Sequence, residues 1–157
     1  MARLPGAAPS DGDQHEREPV GPRPRPLSEE ELLKLLGGQQ FGVLSTVRRS
    51  GHPALSTVLY RWDPAARIIR ISTTADRLKA RQVRNNPHVA LHVQGPDVWS
   101  FAVAEGEAEV SGDAAELLAF AGEQPDTAAF LEQQARERRV VIRIKVSRLY
   151  GTALDLP

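Results

Sequence analysis

The 157-residue chain has no cysteine, one methionine, two tryptophans and two tyrosines, and its 20 basic residues are balanced by 20 acidic ones. Without cysteine, disulfides, thiolate metal sites and Cys nucleophiles are excluded. Without net charge, no global field draws the chain to nucleic acid or to an anionic membrane. No apolar run approaches the roughly 18 residues of a membrane span, and the N-terminus lacks the charged-then-apolar order of a signal peptide. A cytoplasmic protein with no nucleic-acid and no membrane partner is expected. There is no GxGxxG for a Rossmann nucleotide site, and Ser45, Ser56 and Ser72 sit in no Gly-x-Ser-x-Gly elbow. His88 and His92 are four apart, but Val89, Leu91 and Val93 alternate between them as in a strand, which sets the two imidazoles about 13 Å apart. With no third ligand in view, no metal is expected.

What the chain does contain is unevenly placed charge. Residues 67–84 hold six Arg or Lys against one Asp, whereas residues 105–137 hold nine acids against one Arg. Within the basic stretch, Ile71-Ser-Thr-Thr-Ala-Asp-Arg-Leu-Lys-Ala-Arg-Gln-Val-Arg-Asn-Asn-Pro87 reads as a strand running out into hydroxyl residues, then a helix opening among Arg77, Lys79 and Arg81. A helix N-terminus offers unpaired N–H donors and a partial positive charge, so such a corner suits a phosphate. The plainer reading of the same charges is a solvated helix face. The first 26 residues carry six of the twelve prolines and read as a disordered or extended Pro/Arg-rich tail, with a docking arm as the alternative.

Folded sequence is expected over residues 27–157. Ser28 with Glu31 forms a capping box, and Leu32, Leu33, Leu35 and Leu36 give an apolar face before Gly37-Gly38 ends the helix. Strands are expected at Phe41–Val47, Pro53–Trp62, Arg67–Ser72, His88–Val93, Val98–Val110 and Arg139–Arg148, with helices at Ala114–Ala121 and Thr127–Glu137. Six mostly hairpin-linked strands with helices at two crossovers indicate a mainly β protein, a small antiparallel barrel with peripheral helices.

At this point the residues carry a likeness. Leu44-Ser-Thr-Val, Gly51-His-Pro and Leu55-Ser-Thr-Val, followed by Ser72-Thr73, Arg77-Leu-Lys-Ala-Arg81 and Asn85-Asn-Pro87, resemble the split-barrel flavin and deazaflavin oxidoreductases, the pyridoxamine 5'-phosphate oxidase-like superfamily. Trp99-Ser-Phe-Ala-Val-Ala-Glu-Gly106 and Arg138 through Leu149-Tyr-Gly151 are similar to its actinobacterial branch that uses the deazaflavin coenzyme F-420. The resemblance implies a six-stranded split β-barrel, a homodimer, and hydride transfer to an unsaturated small molecule, with FMN as the alternative cofactor. By the same resemblance Ser72, Thr73, Arg77, Lys79 and Arg81 hold the cofactor phosphate. Ser56, Thr57 and Val58 line the ring edge, and Trp99 and Ser100 reach it from the neighbouring subunit. Trp99 reads equally as a core or interface aromatic.

No catalytic residue is assigned: His52 lies in a turn, and Tyr60 reads as part of the barrel wall. Two other readings stand beside the F-420 reductase. One is an FMN enzyme such as a pyridoxamine 5'-phosphate oxidase or flavin reductase. The other is a non-enzymatic binder of the coenzyme or of a tetrapyrrole. Leu149-Tyr-Gly-Thr-Ala-Leu-Asp155 lacks the Arg-rich substrate-phosphate motif expected of a true pyridoxamine oxidase.

Overall fold

A computed structural model describes residues 21–156, so the reading of residues 1–20 as a tail lies outside the described residues. Arg25–Pro26 form a two-residue strand, β1, and Leu27 N–H donates to the Gly151 carbonyl at 3.0 Å. α1 (Glu29–Gly38) opens on the expected capping box: the Ser28 hydroxyl accepts from Glu31 N–H, and the Glu31 carboxylate accepts from Ser28 N–H. The chain continues through β2 (Phe41–Val47), β3 (Pro53–Leu59), β4 (Arg61–Asp63), β5 (Ile68–Thr74), α2 (Leu78–Asn85), β6 (His88–Gln94) and β7 (Ser100–Ser111). It ends with α3 (Ala114–Ala121), α4 (Thr127–Arg136) and β8 (Arg139–Ala153).

All strands join one antiparallel sheet in the order β3-β2-β6-β7-β8-β5-β4, with β1 on β8. The two ends of that order, β3 and β4, are separated in the chain by Tyr60 alone, so the sheet curls back on itself as a split barrel. Eight strands thus replace the six expected. The expected strand Pro53–Trp62 breaks at Tyr60, and Arg25–Pro26 add a short strand. β7 begins at Ser100 rather than Val98, because the Asp97 carboxylate accepts from Trp99 N–H at 2.8 Å and holds the loop in an Asx turn. β8 runs past Arg148 to Ala153, so the Leu149-Tyr-Gly block is sheet.

Tyr60 makes the corner. It is 2% exposed, its N–H donates to the Gln40 carbonyl at 2.9 Å, and its hydroxyl donates to the Leu36 carbonyl at 2.5 Å. Leu36 lies in the last turn of α1, where carbonyls have no partner within the helix, so the phenol caps α1 from inside the barrel. Burial pushes the phenol pKa well above its ordinary range and keeps it a donor.

Strand alternation supplies the core. Leu44 faces Leu91 across β2 and β6, and Ile71 faces Ile142 across β5 and β8; Val58, Ile69, Val93 and Ile144 complete the interior. The helices plug the ends. α1 sends in Leu36, and α2 sends in Val83 while Thr46 Oγ1 donates to Gln82 Oε1 at 2.6 Å. One end therefore carries α2, the β2–β3 turn and the start of β8. The opposite end carries α1, the loop before β7 and the end of β8.

Outside the barrel, α3 is fixed by charge. Arg70 and Arg143 are cross-strand partners on β5 and β8, and Glu116 of α3 lies between them. Arg70 Nε donates to one Glu116 oxygen at 2.6 Å, and Arg143 Nε lies 3.2 Å from the other, off the hydrogen-bond line. Sheet glycines matter where backbones touch: a Cβ at Gly151 would lie 2.0 Å from the Phe101 carbonyl oxygen. Because a buried carbonyl left without its donor costs about 1–3 kcal/mol, Tyr60→Phe is expected to lower stability by that amount in urea unfolding, with the m-value unchanged.

Candidate functional site

Thr73 and Ser72 end β5, and strand alternation sends them to opposite faces. Thr73 is buried on the inner face opposite Val140, whereas Ser72 is half-buried opposite Val141 on the face where Arg70 meets Arg143. The two hydroxyls expected at the cofactor phosphate therefore lie on opposite faces of the sheet. The chain then turns through Thr74, whose hydroxyl donates to Asp76 Oδ1 at 2.7 Å, and enters α2. Arg77 is the N-cap rather than a first-turn residue, and its side chain makes no cap hydrogen bond. The N–H groups of Leu78, Lys79 and Ala80, the first three of the helix, have no acidic side chain in that turn to answer them. They form the donor end of a helix eight residues long.

Cations gather round this end. Lys79 is half-buried, and its pKa is lowered by burial first and by the neighbouring Arg77 guanidinium second. Arg81 faces Arg48 and Arg49 of the β2–β3 turn across a cleft of about 370 Å³, floored by Leu78, Gln82 and Asn85. Among the described residues none of Arg48, Arg49, Arg77, Lys79 and Arg81 makes an ion pair. Arg84, on the same helix, is used otherwise: it donates to the Ala75 carbonyl at 2.9 Å and ties the turn to the helix. Arg48 and Arg49 were not among the residues singled out from the sequence; their signal is two adjacent cations in the tight turn before Gly51.

The remaining candidates lie elsewhere. Ser56 and Val58 point to the inner face of β3, Val58 fully into the core, while Thr57 points outward. Thr57 shares with Phe41, Val43, His92, Gln94 and Val98 an outer groove of about 540 Å³. β3 is a terminal strand of the sheet order, so its second edge has no ladder partner and can offer backbone groups to a ligand. Trp99 and Ser100 line another cavity, of about 460 Å³, at the α1 end. Gln39, Pro96 and Asp97 border both the groove and this cavity.

A single copy of the chain does not bring all ten candidates together. Ser72 lies opposite Val141 and Ser100 opposite Ala153, twelve residues apart on β8, or about 40 Å of strand at the usual rise. His52 is exposed in its turn, and Tyr60 is committed to Leu36, so neither faces a ligand. His92, on the outer face, stacks on Phe101 with ring centroids 5.2 Å apart.

An anionic flavin or deazaflavin tail fits the α2 corner by donor chemistry: helix N–H groups, one half-buried ammonium and several guanidinium groups, with no ion pair to displace among the described residues.

The sequence matches the family described as pyridoxamine 5'-phosphate oxidase over residues 28–153. Among solved structures, the conserved hypothetical protein Rv2991 of Mycobacterium tuberculosis is 22% identical, with 81% of this chain and 85% of that one aligned at a TM-score of 0.64. An FAD-binding protein of Mesorhizobium loti is 19% identical over 87% of this chain and 100% of that one, also at 0.64. An F-420 reductase is 24% identical over 74% and 93%, at 0.55. At these identities the likeness is one of fold.

Lys79→Ala is expected to weaken binding of F-420 by about 1.5–3 kcal/mol in a fluorescence titration, the value of a hydrogen bond to a charged group. Unchanged affinity removes Lys79 from the site. Since only the ammonium form attracts phosphate, the affinity of the parent protein is expected to fall as pH rises through the lowered Lys79 pKa. That alkaline limb starts below the ordinary lysine range and is absent from Lys79→Ala.

Proposed function

The chain belongs to the pyridoxamine 5'-phosphate oxidase family, and within it we propose an F-420-dependent reductase that works as a homodimer on an unsaturated small molecule. The observation that carries this reading is the α2 corner, where a helix with no acid in its first turn carries Arg77 and Lys79 at its start and Arg81 in a cleft with Arg48 and Arg49, none of them in an ion pair among the described residues. A phosphodiester followed by glutamate carboxylates, the tail of F-420, matches that surplus of donors better than a single phosphate does. In support stands the solved F-420 reductase of the same fold. FMN or another flavin is the second reading, favoured by the FAD-binding protein of Mesorhizobium loti.

The distance between the two ends of the barrel supports the dimer. If Trp99 and Ser100 are to meet a ligand whose phosphate is held at α2, they must come from a second copy. A surface for that copy exists. Phe41 (61% exposed) pairs with Leu59, Leu55 (68% exposed) sits on the same outer face, and Val98 flanks them. An apolar sheet face of this kind marks an interaction site.

When bound, the reduced deazaflavin supplies a hydride. The chain's own part is to hold the tail through Lys79, Arg77, Arg81, Thr73 and the α2 N–H groups, with Ser72 contributing through its backbone. The free edge of β3 at Ser56, Thr57 and Val58 orients the ring by main-chain contacts. With the coenzyme bound, an acceptor C=C or C=N would take the hydride at one atom and a proton from solvent at the other, since no general acid has been assigned among the described residues. Among the described residues no helix is long and apolar enough to cross a membrane.

The test begins with the purified protein's spectrum and its retention of added cofactors. Binding of F-420 in preference to FMN, with turnover of reduced F-420 against enones and quinones, is the expected result. A tightly held yellow flavin overturns it in favour of the second reading, and binding without turnover leaves a carrier. Leu55→Glu is expected to yield a folded monomer in sedimentation, with F-420 binding lost. A monomeric parent that binds F-420 with full affinity overturns the composite site.

A further inference from the structure

The cavity at the α1 end is built from four parts of the chain. The arm before α1 gives Arg25 and Leu27, and α1 gives Glu31, Lys34 and Leu35. The loop into β7 gives Pro96, Asp97, Trp99 and Ser100, and the end of β8 gives Ala153, Leu154 and Asp155. At about 460 Å³ it lies within the range of roughly 300–1,000 Å³ usual for small-molecule pockets. Its walls are mostly apolar, with the half-exposed indole of Trp99 as the one large aromatic surface.

Most of its charges are engaged, Lys34 being the one without an ion pair among the described residues. Arg25 Nη1 lies 3.0 and 3.1 Å from the two oxygens of Glu31, and Arg25 Nε donates to Asp155 at 3.0 Å. The Arg25 guanidinium in turn holds the Glu31 carboxyl below its ordinary pKa. Asp97 accepts from Trp99 N–H. With Lys34, the rim carries two cations against three carboxylates, and Arg25 already answers two of the three. A phosphate or carboxylate would therefore meet a net negative rim, while any charged group would lose its hydration against Leu27, Leu35 and Leu154.

We propose that this cavity is the acceptor-substrate pocket and that it takes an uncharged, flat, conjugated molecule, seated on the Trp99 indole and limited by the Arg25–Glu31–Asp155 latch. This rests on the reductase reading, under which Trp99 also faces the coenzyme ring and brings donor and acceptor to one place. It separates the protein from enzymes whose substrate carries a phosphate. The latch also gives the segment before α1 a function: β1 sets Arg25 opposite Ala153 and so closes one wall.

The site can be read without turnover. The chain has two tryptophans, so Trp62→Phe leaves Trp99 as the only one, and no cysteine is present for a quinone to alkylate. Menadione, a neutral flat quinone, is expected to quench Trp99 saturably and to give a calorimetric isotherm of the same Kd, whereas pyridoxal 5'-phosphate gives neither. Leu35→Arg is expected to weaken menadione binding about tenfold or more by placing a charge in the apolar wall. Leu154→Arg, at the chain's end and outside the core, gives the same readout if the α1 substitution unfolds the protein, with melting temperature as the control for both. Linear, unsaturable quenching, quenching that survives in a folded variant, or tighter binding of pyridoxal 5'-phosphate overturns the proposal. F-420 retention is measured in parallel. Menadione binding with no F-420 retention overturns the reductase reading and with it the acceptor role, whereas F-420 retention with no menadione binding overturns the pocket alone.

Discussion

The fold depends on a single-residue corner. β3 and β4 stand at opposite ends of the sheet order yet are consecutive in the chain, so whatever turns the chain at Tyr60 closes the barrel. The phenol does this by donating to Leu36, a carbonyl that the end of α1 leaves without an internal partner. One hydrogen bond thus satisfies a helix terminus, seats α1 in the barrel mouth and fixes the place where the sheet stops being continuous. Because the closure is covalent at Tyr60 but not laddered beyond it, β3 keeps a bare edge, and that edge is available to a ligand.

The barrel's polarity then sorts chemistry by end. Hairpin connectivity puts the β2–β3 turn, the close of β5 and the opening of α2 at one mouth, which gathers Arg48, Arg49, Arg77, Lys79 and Arg81. The other mouth receives Trp99, Ser100 and an apolar cavity whose rim carries two cations against three carboxylates. Cations without an ion pair among the described residues suit an anion, while an apolar mouth with a net negative rim disfavours one. A redox enzyme needs both, an anchor for a charged carrier and a dry seat for its acceptor, and the length of β8 keeps the two apart within one chain.

Much of this was legible in the sequence, and what was not has a physical reason. The capping box at Ser28 and Glu31, the alternation at Val89, Leu91 and Val93 and the strand-to-helix corner at Ser72–Arg81 are local patterns, and local patterns survive folding. The break at Tyr60 was hidden because Pro53–Trp62 reads as one β-rich run, and only a partner on α1 turns it. The opposite facing of Ser72 and Thr73 follows from strand alternation, which the hydroxyl pattern alone does not show. The latch among Arg25, Glu31 and Asp155 had no signal, since Arg25 and Asp155 are 130 positions apart.

The pairing of Arg70 with Arg143 across β5 and β8 sets two guanidinium groups side by side, with Glu116 shared between them and Asp63 and Glu109 as their outer partners. Were α3 to peel away, Arg70 would keep Asp63 and Arg143 would keep Glu109, but the carboxylate they share would be gone and their mutual repulsion would rise. α3 is therefore no detachable ornament: its departure weakens the sheet it covers, which couples the insert to the barrel.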